Sequence, residues 1–135
     1  MRVFKTKLFS RHAKEMGLDD SALFNAAREI SRGSFEANLG GNIYKKRIAL
    51  GNRGKSSGAR TIVAFKIKDK AIFLYGFPKN ERGNITQKEE IALKGLAEFF
   101  LGLSDNEIDN AVETGDLIEV YDEQTYRISN KESET

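Results

Sequence analysis

The sequence predicts an α+β domain, with an antiparallel sheet flanked by helices. Three observations support this prediction. Apolar residues at helical spacing lie near the start of the chain, β-branched and aromatic residues are concentrated in its middle, and two helix-capping motifs lie in its last third. The chain has 135 residues, of which 39% are hydrophobic, and this is enough for one core. We expect a single domain over residues 1–121 and an acidic, partly disordered tail over residues 122–135.

Two helices are predicted in the first part of the chain. The segment Lys7–Met16 ends at Gly17, a residue that commonly terminates helices. Residues 19–30 begin with acidic residues and end near Gly33. Apolar side chains follow helical spacing within this second segment, namely Leu23, Ala26, Ala27 and Ile30.

Three β-rich runs follow, at residues 43–50, 61–67 and 71–77. They are separated by a Gly- and Ser-containing loop at residues 51–58 and by a tight turn at residues 68–70. Short connections of this kind join neighbouring antiparallel strands. We therefore expect an antiparallel sheet of at least three strands.

Two further helices are predicted by capping boxes, in which a hydroxyl residue is followed three positions later by Glu. These motifs begin at Thr86 and Ser104. The apolar side chains of the first helix should pack on the sheet, and they are Ile91, Ala92, Leu96, Phe99, Phe100 and Leu103. The second helix should end near Gly115, and residues 117–121 should form a last strand.

The composition excludes several classes of protein. The absence of Cys excludes disulfide scaffolds, thiol catalysis and thiolate metal sites, and a single His excludes mechanisms that need a His pair. We interpret this residue, His12, as a partly exposed helix residue, because no sequence neighbour forms a partner motif with it. No run is apolar enough to span a bilayer or to resemble a signal peptide. We expect a cytoplasmic protein with no membrane partner.

Charge is distributed unevenly along the chain. Residues 1–82 contain 18 Lys and Arg against 7 Asp and Glu, whereas residues 83–135 contain 4 against 13. The net charge of the whole chain is only +2. This polarity indicates a basic face for a polyanion and an acidic C-terminal segment, with solvated charges on unrelated surfaces as the alternative.

The loop at residues 51–56 contains Gly-Lys-Ser, which is the ending of a phosphate-binding P-loop. Two features argue against that interpretation. The first glycine of the motif would fall at Ala49, and the loop leads into a predicted strand, whereas a P-loop opens a helix. Nucleotide hydrolysis is therefore not the function that this loop predicts.

Cations and aromatic residues are concentrated around the predicted strands. They are Lys45, Lys46, Arg47, Arg53, Lys55, Arg60, Tyr75, Phe77, Lys79 and Arg82. Antiparallel pairing can bring many of them onto one face, where Lys and Arg would contact phosphates and rings would stack on RNA bases. The alternative is that Tyr75 and Phe77 belong to the core and the cations are solvated. We interpret Glu81 as a salt-bridge partner of Lys79 or Arg82 rather than as a catalytic base.

Two segments carry a family resemblance. Gly-Lys-Ser-Ser-Gly-Ala-Arg-Thr-Ile-Val-Ala-Phe-Lys at residues 54–66 and Phe-Leu-Tyr-Gly-Phe-Pro-Lys-Asn-Glu-Arg-Gly-Asn-Ile at residues 73–85 resemble the RelE/HigB-like toxins of type II toxin–antitoxin systems, and in particular the HigB-like branch. The resemblance extends from about Tyr44 to Val120. It implies an α+β fold in which N-terminal helices pack on a twisted antiparallel sheet of about three to five strands, followed by C-terminal helices.

The resemblance also implies a growth-inhibiting endoribonuclease (an mRNA interferase) that cleaves messenger RNA on the ribosome. Its partners would be the ribosome, messenger RNA and a cognate antitoxin, with operator DNA bound only through the antitoxin complex. RNA supplies its own nucleophile, the 2′-hydroxyl, so cationic side chains can align it, move its proton and stabilise the added charge. No metal and no cofactor is therefore expected.

Matching by position carries the family roles over to this chain. The implied catalytic residues are Arg60, Lys55, Lys79 and Arg82. Arg60 would contact the reacting phosphate through its planar fork, and Lys55 or Lys79 would act as general base or acid. The implied RNA-binding residues are Arg53, Lys45, Arg47, Tyr75, Phe77 and Asn80.

The chain departs from the family pattern in two places. Asn80 lies where better-known members carry a cation, and here it would supply only hydrogen bonds. Ile85 and Thr86 stand where better-known members have a tyrosine. This leaves Tyr75 and Glu81 as further candidates for the proton transfer.

A function of another class is compatible with the same fold. The chain could be a non-catalytic toxin or binding module, such as a ParE-like gyrase inhibitor or a nucleic-acid-binding protein. The positions of the cations distinguish the two functions. If these cations converge in one site, the nuclease is favoured, and if they scatter, the binding module is favoured. The cations are Arg53, Lys55, Arg60, Lys79 and Arg82.

Overall fold

The computed structural model describes residues 1–51, 58–67 and 70–122, and these form six strands and four helices. The strands are β1 (Arg2–Thr6), β2 (Ala37–Gly40), β3 (Ile43–Ile48), β4 (Ala59–Lys66), β5 (Lys70–Pro78) and β6 (Leu117–Val120). The helices are α1 (Lys7–Met16), α2 (Asp20–Ser31), α3 (Gln87–Leu101) and α4 (Asp105–Thr114). This is the α+β class that the sequence predicts. Most of the predicted loop at 51–58, two residues of the turn at 68–70 and the tail from 123 onward lie outside the described residues.

The strands form one sheet in the order β2-β3-β4-β5-β1-β6, and every pair is antiparallel except β1 with β5. The expectation of three to five strands preceded by helices is wrong, because the described sheet has six strands and the chain begins with one of them. β1 lacks an alternating pattern, since Val3 and its neighbour Phe4 are both fully buried, on opposite faces. Its hydrogen-bonding partners β5 and β6 lie far away in the sequence, so no local signal identifies it.

The helix ends follow the predicted signals. Thr86 and Ser104 form complete capping boxes, each with the Glu three residues later. Gly17 and Gly115 end α1 and α4 in the left-handed conformation, with φ of 74° and 85°, which glycine adopts without steric cost. α2 ends at Ser31, slightly before the predicted Gly33. Within the part of the chain that the structure describes, no helix is long and apolar enough to cross a membrane.

The helices cover both faces of the sheet. α1 and α2 pack on one face around a core that includes Phe9 and Phe73, and we call this the α1/α2 face. α3 and α4 pack on the opposite face around a core that includes Ile62 and Leu74, and we call this the α3/α4 face. β4 and β5 are covered on both faces, which explains their nearly continuous apolar sequences.

α3 covers less of the sheet than the sequence predicts. The side of α3 that reaches the core consists of Ala97, Phe100 and Leu101. Of the six apolar side chains that were expected on the sheet, Phe100 is buried and Leu103 is half-buried. The other four are exposed, namely Ile91, Ala92, Leu96 and Phe99. The helix itself is correctly predicted, but its packing face is not, because apolar residues surround more of its circumference than one face of a sheet can cover.

Candidate functional site

Several predicted site residues meet at one end of the sheet, where β3 and β5 end and β4 begins. Strand register places Arg47 opposite Arg60, and Arg60 opposite Phe77. Ile62, two positions along β4 from Arg60, belongs to the core on the α3/α4 face. Residues two apart on a strand point to the same side of the sheet. The row formed by Arg47, Arg60 and Phe77, here named the arginine row, therefore lies on the α3/α4 face.

A second row of side chains lies beside the arginine row. Lys45 pairs with Ile62, and Ile62 pairs with Tyr75. Tyr75 is half-buried and packs against the core of the same face. One face of three adjacent strands thus brings together five of the predicted site residues, which are Lys45, Arg47, Arg60, Tyr75 and Phe77.

The guanidinium groups of the arginine row have unpaired donors. The Nε atoms of Arg47 and Arg60 are buried and have no hydrogen-bond partner among the described residues. A buried donor without a partner costs on the order of 1–3 kcal/mol, and two like charges in direct opposition on a sheet repel each other. A bound anion would remove both penalties. Phosphate is suited to this position, because arginine binds its oxygens through two parallel hydrogen bonds.

Lys46 lies between Lys45 and Arg47 in the sequence but on the opposite face of the sheet. Its side chain is buried, and its Nζ donates to the carbonyl oxygen of Ser34 at 3.0 Å. Nζ also lies 3.2 Å from Oε1 of Glu29 on α2. Lys46 therefore joins α2 to the sheet and does not belong to the basic face.

Arg82 is held in place by the protein itself. Its guanidinium donates to both carboxylate oxygens of Glu89, at 2.6 and 3.0 Å, and twice to the carbonyl oxygen of Asn84. It also donates to the hydroxyl of Tyr75 at 3.2 Å and lies over the Phe77 ring, 5.1 Å from its centre. All five N–H donors of the guanidinium are thereby used. Hydrogen bonds from Arg82 and from the Thr86 backbone lower the pKa of Glu89 to about 2, so this carboxylate is ionised at neutral pH.

The turn after β5 carries the remaining predicted residues. The backbone N–H of Lys79 donates to the carbonyl oxygen of Gly58 at 2.9 Å, which fixes the turn against the start of β4. The Lys79 side chain is half-buried and that of Asn80 is exposed. Glu81 makes no ion pair within the described part of the chain, so its interpretation as a salt-bridge partner is wrong. Arg82 instead pairs with Glu89 in the first turn of α3, seven residues further along the chain.

His12 is a neighbour of the site that sequence reasoning missed. It is half-buried on α1, as predicted, but its ring lies edge-on to Tyr75 with 5.5 Å between the ring centres. Its Nδ1 is buried and has no hydrogen-bond partner among the described residues. The ring of Tyr75 in turn lies 5.9 Å from that of Phe77, so Tyr75 contacts both His12 and Phe77. The sequence does not indicate this contact, because α1 and β5 are distant in the chain and meet only when it is folded.

The sequence analysis named five cations whose positions distinguish a nuclease from a binding module. Two of them, Arg53 and Lys55, lie outside the described residues. The other three lie at the same end of the sheet. Arg60 pairs with Phe77 across the strands, the guanidinium of Arg82 lies over the Phe77 ring, and Lys79 follows two residues later on the chain. Arg60, Lys79 and Arg82 thus lie at one end of the sheet, and their convergence in a single catalytic site stays a prediction.

Comparison with known proteins gives one result for the whole fold. A family model for the RelE toxin of the RelE/RelB toxin–antitoxin system matches residues 1–120. The match begins before β1 and ends with β6, so it includes the first 40 residues, over which the sequence segments quoted above give no resemblance. Among curated proteins, none matches the chain.

Proposed function

The chain belongs to the RelE toxin family and is thus the toxin of a toxin–antitoxin module, and from this premise we propose that it is an endoribonuclease acting on messenger RNA at the ribosome. The observation that carries the proposal is the arginine row. Arg47 and Arg60 face each other on neighbouring strands, and both have buried donors without partners. A phosphate of the RNA backbone would supply those partners.

The proposed reaction uses the nucleophile that RNA carries. The 2′-oxygen forms a bond to the adjacent phosphorus, and the bond from that phosphorus to the 5′-oxygen of the next nucleotide breaks. A base removes the proton of the 2′-hydroxyl and an acid delivers a proton to the departing 5′-oxygen. Arg60, with Arg47 beside it, stabilises the charge that develops on the non-bridging oxygens, and a single donor of this kind contributes a factor of about 10²–10³ to the rate.

The remaining residues bind RNA, transfer protons or position other side chains in this proposal. Lys45, Tyr75 and Asn80 contact the RNA on either side of the reacting phosphate, together with Arg53. Lys55 or Lys79 is the proton donor or acceptor, with Tyr75 as the alternative. Arg82 and Phe77 are positioning residues, because the guanidinium donors of Arg82 are all used within the protein and Phe77 is only 5% exposed. They hold Tyr75 and Arg60 in place.

The test is to express the chain in a bacterial host without its antitoxin and to map the 5′ ends of messenger RNA. We expect cuts within translated frames that become at least about 100-fold rarer in Arg60→Ala. Lys66→Ala is the matched control, because it removes an exposed cation from the opposite end of the same strand. Its cuts should equal those of the wild type, and all three proteins should have the same melting temperature.

Each other outcome argues against part of the proposal. Cuts that persist in a folded Arg60→Ala variant would contradict the assignment of the site. Growth arrest without cuts would contradict the nuclease and favour a ParE-like inhibitor of gyrase. Expression of folded protein without arrest or cuts would contradict an active toxin.

A further inference from the structure

A small cavity lies between β5 and the first half of α3. It encloses about 190 Å³ and is lined by Tyr75, Glu89, Ala92 and Leu93. This is the share of liquid volume of about six water molecules, so the cavity has room for a flat ring but not for a peptide helix. We call this feature the Tyr75 cavity.

Arg82 holds two polar atoms of the Tyr75 cavity beside each other. Its Nη1 donates to Oε2 of Glu89 at 3.0 Å and to the hydroxyl oxygen of Tyr75 at 3.2 Å. The ring of Tyr75 is also fixed at its edges by contacts with His12 and Phe77. The two oxygens are therefore in place before a ligand arrives, which reduces the entropy that binding costs.

Both oxygens can form a further hydrogen bond. Each oxygen of a carboxylate has two acceptor sites. Oε1 of Glu89 uses both of its sites, for Arg82 and for the backbone N–H of Thr86, whereas Oε2 uses one, for Arg82. The pKa of Glu89 is lowered to about 2 by the hydrogen bonds from Arg82 and Thr86, so Oε2 is an acceptor at neutral pH. The hydroxyl proton of Tyr75 has no acceptor among the described residues. The cavity thus presents an acceptor beside a donor.

An acceptor beside a donor distinguishes between nucleobases. On the pairing edge, cytosine and adenine have an amino group beside an unprotonated ring nitrogen, which is a donor beside an acceptor. Uracil and guanine have the reverse, a carbonyl oxygen beside a protonated ring nitrogen. Cytosine and adenine therefore complement the cavity. The carbonyl oxygen of uracil or guanine would instead face the ionised carboxylate of Glu89, with no proton between the two oxygens.

The Tyr75 cavity adjoins the arginine row. Tyr75 lies two positions before Phe77 on β5, which is about 7 Å along the strand. Phe77 is directly opposite Arg60. The guanidinium of Arg82, which bridges the two polar atoms of the cavity, lies 5.1 Å from the centre of the Phe77 ring. A nucleotide chain with a phosphate at the arginine row can therefore place a neighbouring base in the cavity.

We infer that the Tyr75 cavity is a nucleobase site that selects cytosine or adenine next to the phosphate that is cleaved. This site rests on the proposed function, because RNA is taken as its ligand. The amino group of the base donates to Oε2 of Glu89, and the ring nitrogen accepts from the hydroxyl of Tyr75. Ala92 and Leu93 contact the flat face of the base. Recognition of single-stranded RNA commonly combines an edge and a face of a base in this way.

Binding of uncleavable dinucleotides tests the site without the nuclease reaction. The probes are 2′-O-methylated CpC and UpU, which have no 2′-hydroxyl to attack the phosphate and which differ on the pairing edge of the base. NMR titration of the full-length, ¹⁵N-labelled chain gives the Kd and the backbone amides whose signals shift. We expect CpC to bind about tenfold more tightly than UpU, with the largest shifts at Ala92 and Leu93.

Two variants and a control locate the discrimination. Glu89→Gln places an amide in the cavity that can accept or donate, so the Kd values for CpC and UpU should differ by less than about threefold. Ala92→Phe fills the cavity with a ring and should raise the Kd for CpC at least about tenfold. Ile91→Phe is the matched control, because Ile91 is 66% exposed on the same helix and lies outside the cavity. Its Kd should stay within about threefold of the wild type.

The RNA mapping gives a second readout of the same site. Among the cuts made by the wild type, one of the two bases next to the cut should be cytosine or adenine more often than in the translated frames as a whole. In Glu89→Gln this excess should disappear. Because the readout is a ratio between bases, a change in the overall rate of cleavage does not affect it.

Three results would overturn the base site. They are equal binding of CpC and UpU by the wild type, unchanged discrimination in a folded Glu89→Gln variant, and shifts confined to residues away from the cavity. Failure of the proposed function has a different signature. Discrimination between the dinucleotides without any cut in messenger RNA would contradict the nuclease and support the base site. Cuts with the same base preference in the wild type and in Glu89→Gln would support the nuclease and contradict the base site.

Discussion

The two faces of the sheet use neighbouring cations for opposite purposes. On the α1/α2 face, Lys46 is buried and bonded to Ser34 and Glu29. On the α3/α4 face, the next residue, Arg47, lies opposite Arg60, and both have unpaired donors. The alternation of a β-strand is sufficient to separate these roles. A cation with a built-in carboxylate contributes to the stability of the fold, and a cation without one is available to a ligand.

The largest effect on stability should come from Lys46→Ala. This variant removes the Nζ donor of the Ser34 carbonyl oxygen, removes one partner of Glu29 and leaves space beside α2, because the Lys46 side chain is buried. Because Glu29 is partly exposed, we expect the free energy of unfolding to fall by about 2–3 kcal/mol, somewhat less than for a broken pair that is fully buried. Chemical denaturation measures this change.

The control for this comparison is Lys45→Ala, on the opposite face of the same strand. Its free energy of unfolding should change by less than about 0.5 kcal/mol. Equal losses of stability in Lys46→Ala and Lys45→Ala would remove the distinction between the two faces.

A smaller effect, on activity rather than stability, is expected for Arg47→Ala. The backbone N–H of Arg47 donates to Glu36, and this bond does not depend on the side chain. Removing the guanidinium also removes a buried unpaired donor and a like-charge contact, so the free energy of unfolding should stay constant or rise. We expect RNA cleavage to fall about tenfold, since Arg60 remains. A loss of stability above about 1 kcal/mol would mean that Arg47 is part of the fold, as Lys46 is.

The smallest effect concerns Arg82, which lies on the α3/α4 face and yet is fully paired. Glu89→Gln removes its carboxylate. The pKa of Glu89 is lowered from 4.5 to about 2 in the folded protein, so its contribution to stability is complete above about pH 4.5 and is lost as the pH falls through 2. The wild type should therefore melt at a higher temperature than Glu89→Gln at pH 7, and the difference should shrink between pH 4 and pH 2. A difference that is independent of pH would show that the ion pair is not its cause.

Prediction from the sequence succeeded where the determining contacts are local. Capping boxes at Thr86 and Ser104 set the starts of α3 and α4, and the β-rich runs gave β3, β4 and β5. The arginine row was accessible for the same reason, because short connections place Arg47, Arg60 and Phe77 on adjacent strands.

Contacts between distant segments were not accessible in this way. The pairing of Arg82 with Glu89 rather than Glu81 depends on where α3 lies against β5, and the contact of His12 with Tyr75 depends on the path of α1. The packing face of α3 depends likewise on how much of the sheet remains for it to cover. Neighbouring residues in the sequence do not determine any of these three contacts.

The position of β1 has a consequence for synthesis of the chain. β1 is the first strand to leave the ribosome, but its two neighbours in the sheet are β5 and the last strand, β6. β6 hydrogen-bonds to β1 alone among the described strands. The hairpin-linked strands that carry the arginine row can pair earlier, whereas closure of the sheet waits until Val120 has emerged. The sheet that carries the arginine row is therefore closed only after α3 and α4 have been synthesised, because both helices lie between β5 and β6 in the chain.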